Sequence, residues 1–487
     1  MSLSPSSPQP QPLNLSPANL SQSLSLFPQS QSLSPLRAQV GTPLLPMALG
    51  ICLSLPAVWP NLSASWRPCA PAPNVLAPIA DQIAAQLPPP LRDTWQGFLD
   101  SVPSSEEAMV VVRDWLAPIE AKIPQDLTPT ESTELAQAIL DEALSRLGVF
   151  MQGVRAYQAA PVSRQEPEKA ATLLSLGTTR IIDYGPDQDG AIVFVVPSLV
   201  NRFDILDIDP EHSFLRYLAG QGLRPLVVDW GEPGEEEKNF TVADYITQRL
   251  IPLMEQVAEK MPDRSIHLLG YCMGGILALA LAQLRPEKLA SLLLIATPWD
   301  FAVRGVGGVP PHDSFMGRLF SMQARQWEMV LGEVGTMPSF LLQTVFTAFQ
   351  PIQIFQKYMS LAVQDIQSAI GQKFVLTEDW LNNGVPLSLP VARECLRDWY
   401  EENKTAKLDW RVGDVVIDPS KVFLPTYILI PQKDRIVPPE CALPVSKLIP
   451  DAKVHQPDMG HIGVMTGREA PELVWKPLTQ WLWHLGQ

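Results

Sequence analysis

Five short runs of continuously apolar, β-rich residues recur through the second two thirds of this chain: "AIVFVVP", "RPLVVDW", "SIHLLGY", "LASLLLIATP" and "PTYILIP". Helical stretches separate them, namely "PEHSFLRYLAGQG", "TVADYITQRLIPLMEQVAEK" and "GGILALALAQL". A strand with one wet face alternates polar and apolar residues; a strand covered on both faces by crossover helices is apolar throughout. The runs are of the second kind. They predict an α/β fold, a doubly wound and mostly parallel sheet, over residues 171–487.

The chain ahead of that region is built differently. Of 49 prolines many gather in the first part, and residues 1–74 read as a disordered Ser/Pro-rich segment. Within it, "TPLLPMALGICLSLPAVW" resembles a signal core or a membrane span. It is broken by Pro43, Pro46 and Pro56, lacks a basic region directly before it, and falls short of the roughly 20 residues a spanning helix needs. It is read as non-spanning; a start codon assigned too early would give the same pattern. Residues 75–170 turn to helical spacing, as in "TESTELAQAILDEALSRLGVFMQGVRAYQ" behind a Thr-x-x-Glu capping box, and predict a small helical domain for packing or oligomerisation. A further helical stretch, about 301–404, interrupts the sheet pattern without strand signals and is placed as a lid insertion over the carboxyl ends of the strands.

Composition excludes several classes. With 51 acidic and 36 basic residues the formal charge is -15, and no long basic run is present, which disfavours a nucleic-acid or anionic membrane partner. Cys52, Cys69, Cys272, Cys395 and Cys441 form no C-x-x-C pair and no metal-ligand spacing. That argues against a disulfide framework and a structural zinc site, and fits a reducing compartment. No cofactor and no metal is expected.

The chemistry is concentrated in "SIHLLGYCMGGILALALA". A β-run ends at Tyr271, Cys272 follows, and Met273, Gly274 and Gly275 open a small-residue helix. This Gly-x-Cys-x-Gly is a nucleophile elbow with Cys in place of Ser, the signature turn of the α/β-hydrolase fold. The glycines are needed because the nucleophile's backbone is strained and its neighbours pass close to one another. The helix N-terminus and the backbone N–H of Met273 face the reacting carbonyl, where they favour an anionic sulfur and a developing oxyanion.

The fold demands an acid and then a histidine downstream. Asp434 ends the run "PTYILIPQKD", and His461 lies in "HQPDMGHIGVM" near the end of the domain. His455 is the rival base, placed inside the short strand. His267 reads as a core residue, and His212, His312 and His484 have no promoting context. Asp229 in "VVDWGEP" reads as a turn-former at a strand end, with a secondary orienting role as the alternative. The second oxyanion donor is sought in the loop "VPSLVNRFDILD", with the backbone N–H of Val200 nominated and Asn201 in support.

With these motifs in place the chain resembles the polyhydroxyalkanoate synthases. The similarity runs from about Thr178 to Gly467, through "VPSLVNRFDILDIDPEHSFLRYL", "VVDWGEP", "LLGYCMGG", "RPEKLASLLLIATPWDF", "MPSFLLQTVFTAFQP", "KDRIVPPE" and "GHIG". The resemblance implies that Cys272 holds the acyl chain as a thioester, His461 acts as general base, and Asp434 assists it at the incoming hydroxyl. It implies (R)-3-hydroxyacyl-CoA and a polyester chain as partners, with acyl-CoA as substrate rather than cofactor, a homodimer or granule surface as further associations, and the cytoplasm as location. Two departures stand out: Arg435 follows Asp434 where the family usually has His, and the long Ser/Pro-rich start is atypical. A thioesterase, esterase or depolymerase would use the same triad with water as acceptor, and a catalytically idle granule or scaffold protein would keep the fold while losing triad residues.

Overall fold

The computed structural model describes residues 146, 148–162, 164, 170–303, 331, 335–339 and 351–485. The expectations for residues 1–74, and for most of 75–170, fall outside this range.

Eight strands form the main sheet: β1 (Ala171–Leu176), β2 (Thr179–Asp183), β3 (Ile192–Val196), β4 (Arg224–Asp229), β5 (Ile266–Tyr271), β6 (Ser291–Ile295), β7 (Thr426–Leu429) and β8 (Lys453–His455). Their spatial order is β1-β2-β4-β3-β5-β6-β7-β8. β2 runs antiparallel to both its neighbours; from β4 onward every pairing is parallel. The five runs read from sequence are β3 to β7. The three strands without such a run lie at the ends of the sheet, where one neighbour or one covering layer is missing and the apolar signal thins.

Every residue of β3, β5, β6 and β7 is buried. Their alternate side chains feed two cores, one on each face. Phe194, Leu268, Leu292 and Ile428 point to the first, which is completed by helix α3 (Ile251–Lys260), helix α4 (Met273–Leu284) and helix α7 (Pro439–Leu448). Val195, Leu269, Leu293 and Leu429 point to the second, covered by helix α2 (Phe214–Gly220) and helix α8 (Lys476–Leu485). This is the period-two side-chain alternation of a strand, with apolar residues demanded on both faces.

Chain order sets the site. After β3 the chain leaves toward β4 on one side, whereas after β5 it leaves toward β6 on the other, although β3 and β5 are hydrogen-bonded neighbours. The loops that follow them therefore diverge from a shared crevice at the carboxyl ends, the usual place for a ligand on an open α/β sheet.

The described part of the insertion contains helix α5 (Pro351–Ala362), helix α6 (Ala369–Asn382) and a helix Leu389–Arg393 that widens into a π-helical stretch, Glu394–Glu401. Strand signals were absent from this stretch, yet Thr336–Met337 pairs antiparallel with Leu387–Ser388. A two-residue ladder is too short to leave a periodic trace. Ahead of β1, residues 148–158 form helix α1. It packs on the insertion: Phe150, Val154 and Tyr157 share a buried cluster with Tyr358, Leu361 and Val375. The approach is close, since a Cβ on Gly153 would lie 1.8 Å from the Tyr358 carbonyl oxygen.

Candidate active site

Cys272 caps the N-terminus of α4 directly after β5, with φ 56° and ψ −130°. That region is costly for a residue with a Cβ, of the order of 1–3 kcal/mol, and persists only where the surroundings enforce it. They do so here. The Cys272 N–H donates to the Ile295 carbonyl at 2.9 Å, and its carbonyl accepts from Gly275 N–H at 2.9 Å. A Cβ on Gly270 would come within 2.4 Å of the Gly275 Cα, one on Gly274 within 2.1 Å of the Val196 oxygen, and one on Gly275 within 1.9 Å of Thr297 Oγ1. The three glycines let strand, turn and helix close to contact distance, and so turn the thiol toward the crevice.

Asp434 follows β7 at the carboxyl edge and is 4% exposed. Its Oδ1 accepts from the N–H groups of Ile436 and Val437 at 2.9 and 2.8 Å, which fixes the carboxylate and leaves Oδ2 for the imidazole. His461, 6% exposed in the loop beyond β8, meets that oxygen through Nδ1 at 2.7 Å. Burial alone pushes the His461 imidazolium down. The negative charge and hydrogen bonding of Cys272 and Asp434 outweigh it and raise His461 well above 6.5. The structure therefore brings Cys272, His461 and Asp434, from three separate loops, into one interacting set.

Tyr271 went unnoticed in the sequence. Its hydroxyl donates to the His461 carbonyl oxygen at 3.0 Å, and its ring lies tilted against the imidazole with centroids 5.3 Å apart. Burial, then the neighbouring Cys272 and Asp434, push its phenol far above the ordinary range, so it stays a neutral donor. Only its place next to the nucleophile marked it, and the residue before an elbow nucleophile carries no general preference that points to such a role.

Met273 opens α4, so its N–H belongs to the unpaired positive end of a twelve-residue helix. Val200 lies in the loop after β3, as expected, but its N–H donates to Ser198 Oγ at 3.1 Å; serving an oxyanion requires Ser198 to release it. Asn201 turns to the insertion, forming an antiparallel bridge with Gly384.

The other candidates are placed elsewhere. His455 sits in β8 with Nδ1 2.6 Å from the Tyr427 hydroxyl. His267 is a buried core residue bonded to Ser291 Oγ at 2.8 Å. Asp229 is held by Arg180 and caps the turn at Gly231 N–H, which is the turn-forming role. His212 pairs with Asp209, and His484 bonds the Gln480 carbonyl oxygen. His312 lies outside the described residues. Arg435 is exposed. Burial pushes the Cys441 thiol up to about 12 and that of Cys395 well above its ordinary value. Among the described residues no cluster of His, Cys, Asp or Glu is arranged to hold a metal ion, and no helix is long and apolar enough to cross a membrane.

The profile of the alpha/beta hydrolase fold matches residues 193–327, which span β3, the elbow and β6. Among curated proteins, the chain is 29% identical over 292 residues to the poly(3-hydroxyalkanoate) polymerase subunit PhaC of Haloferax mediterranei, covering 59% of this chain and 58% of that protein. It is 26% identical over 299 residues to the subunit of the same name from Synechocystis, covering 60% and 77%. With that of Thiocystis violacea it shares 24% over 371 residues, covering 74% and 98%. The chain has the α/β-hydrolase fold and is similar to these poly(3-hydroxyalkanoate) polymerase subunits. The match spans a little over half the length of the Haloferax synthase and nearly all of the Thiocystis one.

Proposed function

We propose that this synthase relative is an acyltransferase that polymerises (R)-3-hydroxyacyl-CoA through a covalent acyl-Cys272, with release of CoA. The observation that carries the reading is a cysteine at the elbow facing a buried, hydrogen-bonded His461–Asp434 pair. In the first half-reaction the Cys272 sulfur attacks the thioester carbonyl, the carbon–sulfur bond to CoA breaks, and the CoA sulfur leaves with the proton held by His461. Met273 N–H, and Val200 N–H once freed from Ser198, stabilise the intervening oxyanion. In the second, His461 takes the proton of a hydroxyl, whose oxygen attacks the acyl-Cys272 carbonyl and displaces the thiol. Asp434 holds His461 in the tautomer with Nε2 toward the reaction throughout.

Cysteine suits transfer. Exchange of one thioester for another keeps the acyl group activated for an alcohol, whereas a serine ester loses that activation. Water as acceptor on the same three residues gives a thioesterase, esterase or depolymerase, so the acceptor decides between readings. The deciding experiment supplies 3-hydroxybutyryl-CoA and follows thiol release together with product: polymer supports the proposal, and stoichiometric free acid with no polymer replaces it by a hydrolase. A second arm tests the roles. A thiol beside an imidazole ionises with little help, but a hydroxyl needs a well-oriented base. Asp434→Asn is expected to release about one equivalent of CoA in a burst and stall as acyl-Cys272 by intact mass, and His461→Gln to lose the burst as well. Equal slowing of both half-reactions in Asp434→Asn would show that the acid is misassigned.

A further inference from the structure

The loop after β3, residues 197–203, borders the elbow, and the sheet fixes only one side of it. On that side Gly274 admits the Val196 and Pro197 carbonyls against α4, and Trp230 Nε1–H donates to the Pro197 oxygen at 3.2 Å. Its far side is held by the insertion. The Trp380 indole N–H donates to the Arg202 carbonyl at 2.7 Å, the Val385 N–H donates to the Val200 carbonyl at 3.1 Å, and Asn201 bridges Gly384. These contacts come from the last turn of α6 and the few residues after it. α6 is itself braced from outside, where the Tyr157 hydroxyl of α1 donates to Asp379 Oδ1 at 2.8 Å, one residue before Trp380.

Of the three ties, two are backbone pairings that any sequence makes. The indole bond alone depends on a side chain, and it spans 178 residues of sequence. Trp380 also packs, with Phe203 and Cys272, against the core under β3 and β5. It thus couples the position of the insertion to the height of the Val200 peptide relative to the elbow.

We propose that Trp380 is a positioning residue for acyl transfer: by clamping the Arg202 carbonyl it sets loop 197–203 so that a backbone N–H there meets the oxyanion formed at Cys272. The inference rests on the acyl-transfer reading given above. An oxyanion donor acts only when fixed within a fraction of an ångström before the charge forms, and loosening its support slows the step that forms the charge while leaving other chemistry of the thiol alone.

Trp380→Phe keeps the aromatic packing and removes only the donor. First-turnover CoA release from 3-hydroxybutyryl-CoA is expected to slow by about tenfold, with KM changed by less than about twofold. Alkylation of Cys272 by iodoacetamide is expected to keep the wild-type rate, because displacement at a saturated carbon builds no oxyanion. A melting temperature close to that of the wild type confirms that the fold is kept. Wild-type CoA release in the variant overturns the proposal, and so does alkylation slowed in step with acylation, which marks a distorted elbow rather than a loosened loop. Either result leaves the acyl-transfer reading standing. Failure of the wild type itself to release CoA overturns both.

Discussion

At the scale of single residues, what distinguishes Cys272 from the other described cysteines is its surroundings. Cys395 is half-buried like Cys272 and Cys441 is buried, and desolvation drives both of their thiols toward the neutral form, whereas Cys272 stands at a helix N-terminus beside a raised imidazole. Iodoacetamide is therefore expected to inactivate the enzyme through Cys272 before either of the others reacts, which peptide mass mapping reads directly, and Cys272→Ala is expected to abolish acyl-CoA turnover with the circular dichroism spectrum unchanged. Retention of most activity in that variant would end the nucleophile assignment. His461 makes a second prediction. Its folded-state value is pushed up from 6.5 to about 10, so its pairing contributes stability that is fully present below 6.5 and is lost as pH rises through the folded value. The denaturation free-energy difference between wild type and His461→Asn is expected to be larger at about pH 6 than at about pH 10. A difference that grows with pH contradicts the charged pair.

At the scale of elements, the elbow is a strand and a helix brought closer than side chains allow. Residues 273–282 of α4 are all buried, so the helix is apolar all round, and it relies on Gly274 for contact with the end of β3 and on Gly275 for contact with Thr297 beyond β6. Gly274→Ala places a Cβ 2.1 Å from a backbone carbonyl that cannot rotate away. We expect a loss of about 3 kcal/mol in urea denaturation and acyl transfer reduced at least as severely as in Trp380→Phe. A variant of near wild-type stability would mean that the crevice between β3 and α4 is looser than the contacts imply. The strands on either side of the elbow were legible because double burial leaves an unbroken apolar run. The edge strand β1 and its neighbour β2 were not, because no residue of β1 is buried and β2 alternates.

At the scale of the whole molecule, α1 is docked on the insertion rather than on the sheet, through the Gly153 contact with Tyr358, the stacked Phe150 and Phe355 rings at 4.9 Å, and the Tyr157–Asp379 bond. Gly153→Ala, whose Cβ would meet the Tyr358 carbonyl at 1.8 Å, is expected to raise amide exchange in 148–158 and in α5 and α6 together while β5 stays protected. Exchange confined to 148–158 would show that the two helical parts do not act as a unit. The sequence by itself determined the α/β class, the elbow at Cys272 and the candidates Asp434 and His461, because each depends on local pattern: double burial, glycine spacing, and chain order along a parallel sheet. It left His455 as a rival base, and Asp229 as a turn-former with a secondary orienting role as the alternative. Only the tertiary structure sets their partners, carrying His461 onto Asp434 and leaving His455 on Tyr427 and Asp229 on Arg180. Tyr271 over the imidazole and the Trp380 clamp on the β3 loop were likewise decided there. They are contacts between residues some two hundred positions apart, whose meeting is fixed by how loops converge at the sheet's edge, and no local spacing encodes that convergence.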